Sequence, residues 1–181
     1  MFFLYHAARE FIAPTLTFFG FSRSILYHLM NNKILILGAT SDIALALAEL
    51  FAEKKYMLML AARDTSKLLT TQTDLQIRYG VTVQLYVFDS MKPETHNYFY
   101  EQLEDWPDVI ISVFGYLGDH QAALNEWQEC YRILFTNYLG AVSILNIAAN
   151  DFERRGQGVI VGISSVAGER GRQSNYFYGS A

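Results

Sequence analysis

The turn Gly38-Ala39-Thr40-Ser41-Asp42-Ile43-Ala44 gathers residue types that suit a bound phosphate. Small residues let the backbone come close to a pyrophosphate, and Thr40 and Ser41 offer hydroxyl donors. A helix starting here would aim its free N–H groups at the negative charge. A plain strand-to-helix turn with Asp42 as N-cap uses the same residues, so the turn alone does not separate the two. Further on, Ala62-Arg63-Asp64 carries an arginine next to the place where a fold that prefers NAD puts an acidic residue. A guanidinium matches a ribose 2′-phosphate bidentately, so Arg63 favours NADP over NAD; the alternative is a solvated surface arginine. Asp89 and Ser90 are candidates for hydrogen bonds to an adenine edge. Gly115 and Gly118 would let a ribose approach the backbone.

Other chemistries are excluded by composition. The net charge is −4 with no basic run, which leaves no electrostatic footprint for nucleic acid. His6, His28, His96 and His120 lack the short spacings of metal helices, so no metal is expected. Cys130 is the single cysteine; it forms no intrachain disulfide, fits a reducing compartment, and reads as a buried small hydrophobe. Trp127 reads as core or helix-edge packing. A cytoplasmic location is expected, with membrane contact as the alternative.

The elements that must hold these residues alternate along the chain. Ile34–Leu37 is a continuous apolar run, as in a strand buried on both faces. Ile43, Leu47, Leu50 and Phe51 then repeat as one face of a helix. Tyr56–Ala61, Val81–Phe88, Val109–Phe114 and Val159–Ile163 read as further strands. Between them lie helical patterns over Thr65–Tyr79, after Pro93, and over Glu129–Arg154. Such alternation predicts an α/β fold, a Rossmann-like doubly wound parallel sheet. Residues 1–30 differ from the rest. They hold eight aromatics, and their longest uncharged stretch, Phe11–Ser22, is too short to span a bilayer. The expected organisation is an apolar, aromatic extension over 1–30 and an NADP-binding Rossmann domain over 31–181. The extension reads as extra residues from an upstream start, a membrane-lying segment or a partner-binding arm.

After the fifth strand comes Gly162-Ile163-Ser164-Ser165-Val166-Ala167-Gly168, and Tyr178 lies thirteen residues beyond Ser165. Together with Gly38-Ala-Thr-Ser-Asp-Ile and Thr136-Asn137-Tyr138-Leu139-Gly140, this pattern resembles the short-chain dehydrogenase/reductase family from about Lys33 to Ala181. The resemblance implies a ketone or keto-sugar reduced by hydride transfer. It makes Tyr178 the general acid that protonates the carbonyl oxygen, Ser165 the residue that orients that oxygen, and Asn137 the holder of a relay water. A tyrosine hydroxyl titrates near ~10, so nearby positive charge must bring it toward working pH. In the family that charge is a lysine four residues on, which here falls at 182, beyond Ala181.

The expectation is therefore a domain incomplete at its C-terminus, a fragment inactive by itself. Family members continue into further strands and a helical segment that shape the substrate pocket. The alternative is a catalytically inactive nucleotide-binding or interaction protein. Two departures stand out: Asp42 and Ala44 replace turn glycines, and Ser112-Val113-Phe114-Gly115 replaces Asn-Asn-Ala-Gly. The segments Ala-Thr-Ser-Asp-Ile-Ala, Ala-Ala-Arg-Asp, Tyr-Leu-Gly-Asp and Val-Ala-Gly-Glu-Arg-Gly look most like the decaprenylphosphoryl-2-keto-erythropentose reductase branch. That branch implies a lipid-linked sugar as substrate. The family resemblance also implies a homo-oligomer in the full-length form, paired through the helix that carries Asn137.

Overall fold

The computed structural model describes Phe2–His6 and residues 33–181. The strands are β1 (Phe2–His6), β2 (Lys33–Leu37), β3 (Met57–Ala62), β4 (Val83–Val87), β5 (Val109–Ser112) and β6 (Val159–Ile163). They form one sheet in the order β1-β6-β5-β2-β3-β4. The five strands from β2 to β6 are parallel, as the apolar runs predict. β1 pairs antiparallel with β6, Phe2 opposite Ile163 and His6 opposite Val159, so the backbone of the N-terminal segment covers the β6 edge. The expected boundary at residue 30 and the stretch Phe11–Ser22 lie outside the described residues.

The helices are α1 (Asp42–Glu53), α2 (Leu69–Tyr79), α3 (His96–Glu101), α4 (His120–Asn125), α5 (Trp127–Leu134), α6 (Gly140–Arg155) and α7 (Tyr176–Ser180). Strand side chains alternate between two apolar clusters. Ile34, Ile36, Leu58 and Leu60 pack with α1 and α2 on one face. Leu35, Leu37, Met59 and Ile110 pack with Phe99 and Tyr100 of α3 and Ile144, Ala148 and Phe152 of α6 on the other. This is the doubly wound arrangement, a Rossmann-like α/β fold.

Three details differ from the sequence reading. The buried stripe of α1 is Ala44, Ala48 and Ala52, while Ile43 and Leu50 are exposed. Small side chains let the helix axis lie close to the sheet, and the larger residues fall beside or behind the contact line. The long helix begins at Trp127 and is interrupted by a π-helical turn at Phe135–Leu139, and a separate helix, α4, precedes it. Trp127 is largely exposed, not core, whereas Cys130 is buried as expected.

Register places the carboxyl ends of the strands side by side. Leu37 pairs with Ala61 and with Ser112, and Ser112 pairs with Gly162. The chain runs outward from β2 to β4, then returns to β5 on the other side of β2. Strand order therefore reverses between β2 and β5, where open α/β sheets form their ligand crevice.

Candidate functional site

Gly38 sits at that reversal with φ +86, in the left-handed region that glycine adopts without strain. A Cβ there would lie 2.6 Å from the Phe114 backbone nitrogen, so only glycine lets the two strand ends meet. The Gly38 and Ala39 N–H groups donate to the Ala61 carbonyl at 2.9 and 3.0 Å. The N-cap of α1 is Ser41 and not Asp42: the Ser41 Oγ accepts the Ala44 N–H at 3.2 Å. Asp42 is instead the first helical residue. Thr40, Asp42 and Ile43 are exposed, and the Asp42 and Ile43 N–H groups, in the first turn of α1, have no partner within the helix. The cradle and the helix start together fit a pyrophosphate.

Arg63 follows β3, is exposed, and makes no ion pair among the described residues. Its neighbour Asp64 is turned into the chain, where its Oδ1 accepts the Ser66 N–H at 3.1 Å. The bonds from the Ser66 hydroxyl and N–H hold that carboxyl below its usual range. The cation is thus presented and the carboxylate occupied.

Asp89 and Ser90 follow β4. The Asp89 Oδ1 accepts the Met91 N–H at 3.0 Å. Ser90 is buried, its carbonyl tight against Gly140, so of the two Asp89 is better placed to meet a ligand. Beneath them His96 is completely buried, stacked on Phe88 at 5.0 Å. Its Nε2 lies 3.0 Å from the Asp89 carbonyl and its Nδ1 2.9 Å from the Ser143 Oγ. A ring that donates to the carbonyl accepts from the serine hydroxyl, tying the loop to α6. Sequence reasoning missed this residue, because its partners lie on other elements and no spacing announces them.

Asn137 lies in the π-helical turn. Its Oδ1 accepts the Tyr116 N–H at 2.8 Å, and its Nδ2 donates to the carbonyls of Tyr116 (2.7 Å) and Ile133 (2.8 Å). Both amide hydrogens are committed, so the side chain clamps the loop after β5, and Gly115 passes directly over it. Glu129 fixes the same loop: its Oε1 accepts the Tyr116 hydroxyl at 2.8 Å and the Asp119 N–H at 2.9 Å. Those bonds, the Asp119 N–H first, lower the Glu129 pKa. The Arg132 guanidinium lies 4.1 Å from the centre of the Tyr116 ring.

Ser165 follows β6, half-buried, and its Oγ accepts the Ala167 N–H at 3.2 Å, which leaves the hydroxyl hydrogen free to donate. Tyr178 lies on α7, which packs on the turn Val166–Gly168. At Gly179 a Cβ would come 2.7 Å from the Ala167 carbonyl oxygen, so the residue after Tyr178 touches the residue two beyond Ser165. Ser165 and Tyr178 thus share one corner; among the described residues no hydrogen bond joins their hydroxyls. Tyr178 also packs toward Ile133, whose carbonyl Asn137 holds. A cavity of about 250 Å³ opens beside Tyr178, walled by Leu117, Ile133 and Phe177. A larger one of about 310 Å³ lies between α3 and α6 near the amino ends of the strands, and no predicted site residue lines it. Among the described residues, no three His, Cys, Asp or Glu side chains are grouped as metal ligands.

An open sheet of parallel strands with a glycine turn at its reversal, and a Ser/Tyr corner at the same strand ends, is the arrangement of a doubly wound α/β fold of the nucleotide-binding kind. Residues 32–181 match the short chain dehydrogenase family. An uncharacterised oxidoreductase of Streptomyces coelicolor is 32% identical over 153 residues, which is 83% of this chain and 61% of that protein. An uncharacterised oxidoreductase of Mycobacterium tuberculosis is 33% identical over 151 residues, covering 82% and 60%. Among solved structures, a short-chain dehydrogenase from Sphingobium yanoikuyae in complex with NADPH superposes with a TM-score of 0.75 at 27% identity, over 82% of this chain and 59% of that one. An NAD+-bound xylitol dehydrogenase shares the fold at 23% identity and a TM-score of 0.73, over 83% and 59%. The chain belongs to the short-chain dehydrogenase family, oxidoreductases that bind NAD(P) on a Rossmann-like fold. It spans about 60% of the length of the curated relatives it matches.

Proposed function

We propose that this chain carries the nucleotide site and the catalytic Ser165, Tyr178 and Asn137 of an NADP(H)-dependent reductase that turns a ketone or keto-sugar into an alcohol. The observation that carries this reading is the packing of α7 on the Val166–Gly168 turn, which brings Tyr178 and Ser165 to one corner at the carboxyl ends of the strands, the end of the sheet where Gly38 also lies. When bound, NADP(H) supplies the hydride. Gly38, Thr40, Ser41 and the Asp42 and Ile43 N–H groups receive the pyrophosphate, Arg63 pairs with the 2′-phosphate, Asp89 meets the adenine, and Gly115 lets the ribose approach. At the reacting carbonyl, the Tyr178 hydroxyl delivers a proton to the oxygen, and the Ser165 hydroxyl donates a hydrogen bond that orients it. Asn137 acts first by fixing the loop over the cofactor; its second Oδ1 lone pair is the one left for a relay water.

The finer placement, in the branch that reduces decaprenylphosphoryl-2-keto-erythropentose, rests on the short segments quoted above and gives a lipid-linked keto-sugar as substrate, reached from the cytoplasm. A homo-oligomer fits the exposed apolar residues Trp127, Tyr131, Tyr138 and Val142 along α5 and α6. The test is cofactor titration by fluorescence. NADPH is expected to bind at least about tenfold more tightly than NADH, and Arg63→Ala to remove that preference while leaving NADH nearly unchanged, as loss of one charge-assisted pair requires. Equal affinities in the unaltered chain would overturn the NADP assignment. In a chain extended to the length of its relatives, cofactor binding without oxidation of NADPH by any ketose or ketone would favour a nucleotide-binding protein without turnover.

A further inference from the structure

The turn after β4 is held residue by residue from the helical stretch that also contains Asn137. The Thr136 hydroxyl donates to the Met91 sulfur at 3.2 Å. Gly140 lies so close to Ser90 that a Cβ would come 2.4 Å from its carbonyl oxygen. Asp89 is reached through His96, whose ring stands between the Asp89 carbonyl and the Ser143 Oγ. A carbonyl only accepts, so the His96 Nε2 carries a hydrogen. The same carbonyl accepts the Lys92 N–H at 3.0 Å, which engages its second lone pair and closes the turn. His96 is completely buried and touches no ligand itself.

This anchoring fixes the side chain of Asp89 as well as its backbone. The Asp89 Oδ1 accepts the Met91 N–H at 3.0 Å, while Oδ2 has no hydrogen-bond partner among the described residues. Asp89 is half-buried, and the pairing of Ala62 with Val87 sets it beside the β3 end that carries Arg63. We propose that His96 is a positioning residue for base specificity: by tying the Asp89 carbonyl to Ser143 it holds the Asp89 carboxylate where it reads the amino group of adenine. The inference rests on the reading in which Asp89 meets the adenine. The 6-amino group of adenine donates, whereas hypoxanthine presents a carbonyl oxygen at that place. A carboxylate only accepts, so a fixed one rewards the first base and opposes the second. A carboxylate free to swing away does neither.

The test compares NADPH with its reduced hypoxanthine analogue by fluorescence titration. The unaltered chain is expected to bind NADPH about tenfold more tightly. His96→Leu, which keeps the bulk and loses both bonds, should bring the two nucleotides within about twofold, and Ser143→Ala within about threefold. His96→Gln, whose amide can still donate to the Asp89 carbonyl, should keep a preference of at least about fivefold. A space-filling role would lower both affinities alike and leave their ratio unmoved. Ser143→Ala removes only a half-buried hydroxyl, so it decides the matter should His96→Leu fold poorly. Equal binding of the two nucleotides by the unaltered chain, an unmoved ratio in either of these variants, or a ratio lost equally in His96→Gln would overturn the proposal. Preference for NADPH over NADH with no preference for adenine removes this inference and leaves the NADP assignment standing. Preference for adenine with equal affinity for NADPH and NADH does the reverse, and binding of neither nucleotide overturns both.

Discussion

Single residues decide how the loop after β5 is shaped. Asn137 and Glu129 take up the polar groups of Tyr116 and Asp119 that the strand leaves unpaired, so the loop is held by side chains and not by a sheet ladder. The Glu129 carboxyl, with its folded pKa lowered chiefly by the Asp119 N–H, binds fewer protons folded than unfolded near pH 4. Its stabilisation is complete above the unfolded value of ~4.3 and disappears as pH falls through the lower folded value. Thermal unfolding from pH 7 to pH 3 should therefore show the unaltered chain losing its advantage over Glu129→Gln across the acid range. A gap that persists at pH 3 would deny the carboxylate this role.

At the scale of elements, the contact between α1 and the sheet depends on small side chains. Ala44, Ala48 and Ala52 are fully buried against Ile34, Ile36, Leu58 and Leu60, which keeps the helix start close above Gly38. Replacing Ala48 with Leu forces extra volume into that seam. It should cost about 1–3 kcal/mol in urea unfolding, and the displaced helix start should weaken nucleotide binding as well. Unchanged stability would mean that the seam has slack that a buried alanine contact does not suggest. Near the C-terminal end of α6, Asp151 is buried, accepts hydrogen bonds from Tyr100 Oη (3.0 Å) and Arg154 Nη2 (2.7 Å), and is ion-paired with Arg155 Nε at 2.8 Å. Burial, then the Asp151 charge, pushes the Tyr100 hydroxyl well above its ordinary value.

For the whole molecule, that cluster joins α3, α6 and the amino end of β5, where Arg155 also approaches Asp108 at 3.9 Å. It sits toward the far end of α6 from the turn that holds Asn137, so its loss should change stability without touching the corner shared by Ser165 and Tyr178. Asp151→Ala leaves Arg155 and the Tyr100 hydroxyl without their buried partner. About 3 kcal/mol of destabilisation is expected in denaturant unfolding, with cofactor affinity retained in the folded fraction. At one flank of the sheet, β1 gives β6 an antiparallel hydrogen-bonded neighbour.

The sequence determined the parallel strands and the glycine turn after the first of them, because period, turn chemistry and short spacings are local. Ile34–Leu37 announces a doubly buried strand, and Gly38 the tight turn after it, without reference to anything distant. It also placed Ser165 and Tyr178 at a recognisable interval. Only the tertiary structure decided which face of α1 is buried, since Ile43 and Leu50 satisfy a helical period but the sheet accepts the alanines. The capping by Ser41 in place of Asp42, the clamp formed by Asn137, and the buried bridge of His96 between Asp89 and Ser143 were likewise hidden. Each depends on groups brought together from separate elements, and a one-dimensional pattern carries no record of such encounters.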